Sequence, residues 1–296
     1  MAPHISIIMP VFNSESFIEE SISSVLNQSY TNFTLIIIND GSTDSSMSIV
    51  NKFTDSRIKI FSIKNSGVSA ARNYGIKKIT HTDFIAFIDS DDIWNFKKLE
   101  KQVSFFSKLP SKKNLIFSAR RNFTDKNKII GNYVYIKLFQ DDSANLFVYD
   151  YITTSSVMLN YSAIFKKMNI FNVDFNGTED WFAWLNLVHL KNYNIKYIDD
   201  FLVDYRISPI SLSSNKTRHF DEELKVISRL SEFNCNINII KLSHLHLSIR
   251  KLVFSVVNLR FRTTFFIFCE IIKKRYLINP LIKKYLSFLI LMKLKK

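Results

Sequence analysis

Glycine and proline are scarce in this chain, five of each among 296 residues, and cysteine occurs twice. With so few breakers, no low-complexity block and no repeat at solenoid periods, a disordered or repeat protein is excluded. Cys235 and Cys269 have neither metal-site nor redox spacing, so they read as apolar fillers in a reducing compartment. Long uncharged apolar runs are missing too. Nothing approaches the ~20 residues that span a bilayer; the tail run Tyr285 to Met292 is far too short. Ile5 to Phe12 lacks the basic flank of a signal peptide and reads as a strand.

What is present is a core. Apolar residues make up 47% of the chain, with 27 Phe, enough for one large domain or a domain plus an appendage. The net charge of +14 is lopsided, because residues 241–296 hold thirteen Lys or Arg against Glu270 alone and so carry +12. An anionic partner for the tail is therefore a separate question from the work of the rest.

Along the first ninety residues, strand-like runs alternate with helical patterns. Ile5 to Phe12, Phe33 to Ile38, Arg57 to Ile63 and Phe84 to Ile88 are apolar and rich in β-branched residues. Between them, Ile18, Ile22, Val25 and Leu26, then Met47, Val50 and Phe53, then Val68, Ala71, Ile76 and Ile79 repeat at helical spacing. Asn13 or Ser14 is placed to cap the first of these helices and Asp44 the second. Such alternation predicts βαβ units and a mainly parallel sheet. Chain direction then puts the loops after Phe12, at Asp40 and at Asp89 at one sheet end, where open α/β sheets bind ligands.

The fourth strand runs into Asp89, Asp91 and Asp92. Carboxylates so close repel unless a cation sits among them, and hard divalent ions that also hold phosphates suit such a set. The same acids also suit a turn, with Asp92 capping a helix over 94–108. Asp40, in NDGSTD, can offer its carboxylate to a base or ribose, or simply close a turn. Arg72, in NSGVSAARNYG, can meet a phosphate as a planar fork or serve the fold.

PVFN at 10–13, NDGSTD at 39–44, NSGVSAARNYG at 65–75 and FIDSDD at 87–92, in that order and spacing, resemble the family 2 glycosyltransferases of the GT-A fold. Two weaker matches extend the resemblance to about residue 215: Gly177-Thr178-Glu179-Asp180-Trp181, and Tyr205-Arg206 with Ser211 and Ser213. The resemblance implies an α/β, Rossmann-like central sheet flanked by helices over 1–218, with a nucleotide-sugar half (1–110) and an acceptor half (111–218). Residues 219–296 then form a basic, amphipathic helical extension. It further implies inverting transfer from a UDP-sugar to an acceptor hydroxyl with Mn²⁺ or Mg²⁺. Carried over by position, Pro10, Val11 and Phe12 line the base pocket and Asp40 bonds the uracil. Arg72, Asp89 and Ser90 approach the nucleotide-sugar, Asp91 holds the metal, and Asp180 is the general base with Glu179 beside it. A helix N-terminal acid pair is the structural alternative for the last two.

Where many relatives have a His, two residues beyond the Tyr-Arg pair, this chain has Ser208; His219 is the nearest later histidine. In the tail, Leu245, Ile249, Leu252, Val253 and Val256 share one helical face, and Lys251, Arg262, Lys273, Lys284 and Lys295 fall eleven apart. Basic clusters among Phe- and Leu-rich turns suit a helix on an anionic membrane, with a charged bundle as the alternative; no nucleic-acid module is evident. The expected setting is the cytoplasmic face of the cell membrane, with a polyprenyl-diphosphate-linked saccharide as the expected acceptor, of the kind used for O-antigen, capsule or lipooligosaccharide. A non-catalytic nucleotide-sugar or polyanion binder, or a nucleotidyltransferase, is the competing expectation.

Overall fold

The structure, a computed structural model, describes residues 2–124, 128–135, 140–208 and 215–257. Nine strands form one mixed sheet in the order β3-β2-β1-β4-β8-β6-β9-β5, with β7 beside β6. The first four are β1 (Ile5–Val11), β2 (Phe33–Asn39), β3 (Ile58–Ser62) and β4 (Phe84–Phe87). They pair in parallel, with Ile5 opposite Phe33 and Phe84. Each matches an apolar run to within a residue at either end; β1, β2 and β4 are buried on both faces, whereas β3, at the sheet edge, leaves Lys59, Ile60 and Ser62 exposed. Ile8, Ile36, Ile38 and Phe87 point into one core, and Ile7, Met9, Leu35 and Ile37 into the other.

Helix α1 (Ile18–Leu26) buries Ile18, Ile22 and Val25 against the second core. It is closed by main chain rather than by an Asn13 or Ser14 side chain, since Phe17 N and Ile18 N donate to Ser14 O. Asp44 does serve α2 (Ser46–Val50), its Oδ1 accepting from Ser46 N. Helix α3 (Val68–Lys77) packs on the first core through Ala71 and Ile76. Gly75 makes that approach feasible, because a Cβ there would lie 2.9 Å from Ile8 Cγ2 and 3.2 Å from Ile38 Cγ1.

After β4 the expectation of a helix over 94–108 is corrected. Ile93–Trp94 form a short strand, β5, antiparallel to β9, and α4 begins only at Lys98 (Lys98–Phe106). Asp92 caps nothing there. It is fully buried, and its Oδ1 accepts from Arg206 N on β9.

The second half adds β6 (Asn114–Phe123), β7 (Ile129–Tyr133), α5 (Asp142–Leu146), β8 (Met158–Asn160), α6 (Glu179–Leu185) and β9 (Asn194–Arg206). β8 runs antiparallel between β4 and β6, whereas β6 and β9 pair in parallel. Six strands (β1–β4, β6 and β9) therefore run one way. The expected boundary at 218/219 falls inside α7 (Lys216–Ser228). Helices α7 and α8 (Ile237–Val257) share the first core, through Phe220, Val226, Leu242 and Leu245. Ser243 Oγ, on α8, donates to Phe147 O at 2.7 Å. Of the residues expected on one face of α8, Leu245 is buried and Ile249 packs partly against the core. Arg262, Lys273, Lys284, Lys295, Ser211 and Ser213 lie outside the described residues. No helix among those described is long and apolar enough to cross a membrane.

Candidate active site

The parallel strands β1, β2 and β4 deliver three loops to one sheet end, and polar contacts lace them together. Asp40 N donates to Val11 O, Thr43 N to Asn13 Oδ1, and Ser14 Oγ lies 2.7 Å from Ser90 Oγ. Ser21, on α1, donates its hydroxyl to the carbonyls of Ser90 and Asp92, fixing the acidic loop from below. Asp40 is buried, and its two oxygens accept from Ser66 N at 2.7 Å and Gly67 N at 2.8 Å. It thereby pins the NSG loop ahead of α3. Gly41 has φ 74°, and a Cβ there would strike Asn65 N at 2.8 Å. Pro10 and Val11 are buried in β1, whereas Phe12 leaves 47% of its surface exposed at the mouth.

Arg72 joins this end to the second half. Its Nη2 donates to Asp89 Oδ1 at 2.6 Å and its Nη1 to Glu179 Oε1 at 2.8 Å. The guanidinium is 3% exposed and faces the Phe171 ring at 5.1 Å. Burial alone would weaken its charge, yet Asp89 and Glu179 outweigh that and hold it protonated. Arg72 was expected to approach a nucleotide; both its Nη groups are spent on acids.

Glu179 and Asp180 open α6 and have different surroundings. Glu179 Oε2 accepts from Gly177 N, so both its oxygens are occupied. Asp180 accepts from Thr154 Oγ1 at 2.7 Å and from Trp181 N at 2.8 Å. Burial, then the charge of Glu179, push the Asp180 carboxyl up to about 6, with Arg72 opposing. A carboxylate with that affinity can accept a proton near neutrality.

Asp91 is half-buried, and burial together with Asp89 raises it to about 6 as well. Asp92 is pushed well above the usual carboxylate range by burial and by both neighbouring acids. Arg206 braces this loop from β9: its Nε donates to Asp91 O at 2.8 Å and its Nη2 to Glu20 Oε2 at 2.6 Å. Its guanidinium lies against the rings of Phe17 and Phe123. Ser208 is buried, and His219 gives its Nε2 to Glu223 at 3.1 Å. Among the described residues, no group of three or more His, Cys, Asp or Glu forms a ready cation site. The donor set of Asp89 and Asp91 still fits a divalent ion that takes its remaining oxygens from water and a bound diphosphate.

Thr154 and the bracing role of Arg206 went unread in the sequence. Thr154 lies in the aromatic stretch that carries no motif. Arg206 belonged to a motif, but its partners Glu20 and Asp91 lie far away in the chain.

Comparison with known proteins identifies a family and a fold. The family model described as Glycosyl transferase family 2 matches residues 6–174. The chain is 35% identical to the Escherichia coli UDP-Glc:alpha-D-GlcNAc-diphosphoundecaprenol beta-1,3-glucosyltransferase WfgD, over 77% of this chain and 87% of that one. It is 30% identical to the E. coli enzyme WfaP, whose described activity is the same, over 76% and 86%. Among solved structures, S. aureus TarS 1-349 in complex with UDP superposes with a TM-score of 0.62 at 19% identity, covering 86% of this chain and 73% of that one. The Pyrobaculum calidifontis mannosyltransferase PcManGT, in complex with GDP-Man and Mn2+, gives 0.64 at 12%, covering 98% and 81%. Both share the fold.

Proposed function

The chain belongs to glycosyl transferase family 2, and from that premise we propose that it moves a sugar from a UDP-sugar to a hydroxyl of a polyprenyl-diphosphate-linked saccharide, inverting the anomeric centre in one displacement. The observation that carries this reading is the pair of acids at the head of α6. Glu179 is locked by Arg72 and Gly177 N, while Asp180 beside it is raised to about 6. Glu179 is tied to a guanidinium, whereas Asp180 accepts from two neutral donors, Thr154 Oγ1 and Trp181 N, which leaves Asp180 the acid better able to take a proton.

In this reading Asp180 accepts the acceptor's hydroxyl proton as that oxygen attacks, with Thr154 fixing the carboxylate's direction. Phe12 offers its exposed ring to the base, and Asp40 orders the loop against which the uracil rests. Asp91, with Asp89 and Ser90 alongside, would hold Mn²⁺ or Mg²⁺ against the donor's diphosphate. Such an ion supplies stabilisation of the charge that develops on the leaving nucleoside diphosphate. The named activities of WfgD and WfaP support the lipid-linked acceptor. The net positive charge of 241–296 supports peripheral attachment to the cytoplasmic face of an anionic membrane, although α8, which begins that segment, packs on the core.

The test is UDP release from UDP-sugars with a GlcNAc-diphosphate-lipid acceptor, in Mn²⁺ and in EDTA, alongside calorimetric UDP binding. Transfer with metal that disappears in EDTA is the expected result. Pyrophosphate release in place of UDP would replace the reading with nucleotidyl transfer, and metal-independent transfer would remove Asp91 from its role.

A further inference from the structure

Asp180 and the Asp89 loop belong to different halves of the chain, and one buried turn touches both. Thr154–Ser156 form a single tight helical turn between α5 and β8. Thr154 Oγ1 donates to Asp180 Oδ2 at 2.7 Å, and Ser155 Oγ accepts from Asp89 N at 3.0 Å. Adjacent Cα atoms across a trans peptide lie ~3.8 Å apart. One peptide unit therefore spans the step from the acid loop to the acid at the head of α6.

The turn is itself firmly held. Its three residues are buried, Ser155 and Ser156 completely. Trp94 Nε1, on β5, donates to Ser155 O at 2.8 Å, and Gln102 Nε2, on α4, donates to Ser156 O at 2.9 Å. Gln102 Oε1 in turn accepts from buried Lys98 Nζ at 2.8 Å, and that amine faces the Trp94 ring at 4.0 Å. Ser156 closes the turn, its N and Oγ both donating to Thr153 O. Two residues on, Met158 pairs with Ala86 of β4, so the turn is seated on the sheet.

Such a tie matters for a single displacement. The attacking hydroxyl, the anomeric carbon and the leaving phosphate oxygen must lie in line, with the base on one side of the sugar and the acid loop on the other. Misplacement by ~1 Å can cost about a hundredfold in rate. Other contacts keep the donor loop together: Ser21 holds the carbonyls of Ser90 and Asp92, and Ser14 Oγ meets Ser90 Oγ. None of these bonds reaches the base. Arg72 does span the halves, but it bonds Glu179 and not Asp180.

We propose that Ser155 is a positioning residue for the transfer step: its hydroxyl fixes the Asp89 main chain at the distance from Asp180 that in-line attack requires. Its role rests on Asp180 being the base, as in the reading above. Loss of that hydroxyl leaves the donor loop its Ser21 and Ser14 contacts and leaves Asp180 its bond from Thr154. What it loosens is the spacing between them.

The test compares the full-length parent, Ser155→Ala and Ser156→Ala in Mn²⁺, using the UDP-sugar that the parent turns over and the GlcNAc-diphosphate-lipid acceptor. Calorimetric UDP binding counts the folded sites. Ser156→Ala removes a hydroxyl of equal size and depth that bonds Thr153 O within the turn, so it reports the cost of a buried deletion alone. Ser155→Ala is expected to lower kcat per UDP-binding site by about ten- to a hundredfold with UDP affinity within about threefold, while Ser156→Ala keeps kcat within about twofold. Parental kcat in Ser155→Ala, a loss of UDP affinity as large as the loss of kcat, or an equal fall in Ser156→Ala overturns the proposal. Where Ser155→Ala binds no UDP, Trp94→Phe decides, because it frees the Ser155 carbonyl from its anchor. A kcat about three- to tenfold lower at unchanged UDP affinity is then expected, and an unchanged kcat overturns the proposal. Absence of transfer by the parent is failure of the functional reading itself, seen before any variant is made.

Discussion

The two halves of the sheet hold their polar groups by different means. In residues 1–110 the fixing partners are mostly main chain: Asp40 grips Ser66 N and Gly67 N, and Ser21 grips the carbonyls of Ser90 and Asp92. In residues 111–218 three contacts around the site instead join side chain to side chain. Arg121 forks onto Asp204 at 2.6 and 2.8 Å, Arg120 holds Thr153, and Thr154 holds Asp180. Main-chain partners survive substitution, whereas a side-chain partner is lost with its residue. The first half is thus suited to a fixed chemistry and the second to an acceptor pocket that a few changes can reshape.

The largest effects should separate the halves by kinetics. Asp91→Asn is expected to abolish metal-dependent UDP binding and to lower kcat/KM by roughly a thousandfold. Asp180→Asn should lower kcat by about 10²–10⁴ while UDP affinity stays within about twofold. Equal loss of UDP binding in both variants would mean that the division between the halves is wrong.

Next in size is the residue that spans them. Arg72→Leu removes the partner of buried Glu179 and of Asp89 together. A loss of about 3–5 kcal/mol in unfolding free energy is expected, because a buried carboxylate is left uncompensated. Chemical denaturation measures it, and a change below about 1 kcal/mol would show that Arg72 is not the strut its contacts indicate.

The smallest effects are those of pH. With Asp180 near 6, log kcat/KM at saturating metal, which keeps Asp91 ionised, should climb with unit slope on the acid side and flatten above about pH 6. Stability runs the other way. Asp91 and Asp180 both rise from 3.8 to about 6 on folding, so the folded protein holds protons there that the unfolded chain has released. The metal-free protein should therefore lose stability as pH rises from about 4 to about 6, which melting at fixed ionic strength would show. A flat profile would place both acids in wetter surroundings than the structure does.

The first half was also the more legible in sequence. Runs such as Ile5 to Phe12 read directly because strands buried on both faces are apolar throughout, and chain direction alone brought Asp40 and Asp89 to one end. The second half resisted. β8, three residues long, slips antiparallel between β4 and β6, and no period marks so short a strand. Asp92 read as a cap because a carboxylate before an apolar run commonly is one; its true partner, Arg206 N, lies 114 positions away. Arg72 was legible as important, while its tie to Glu179 depends on packing that brings the head of α6 to it from 107 positions away.

Gly75 carries a consequence for the chemistry although it touches none of it. It sits one helical turn beyond Arg72 on the buried side of α3, where the helix rests on Ile8 and Ile38 without an intervening methyl. The height of α3 above the sheet is therefore set by bare backbone, and with it the reach of the guanidinium toward acids 2.6 and 2.8 Å away. A single added carbon would act as a shim under the helix, moving a charge relative to two fixed carboxylates. The alignment of donor and acceptor sides is thus gauged by the thickness of one layer of packing, set far below the mouth where substrates meet.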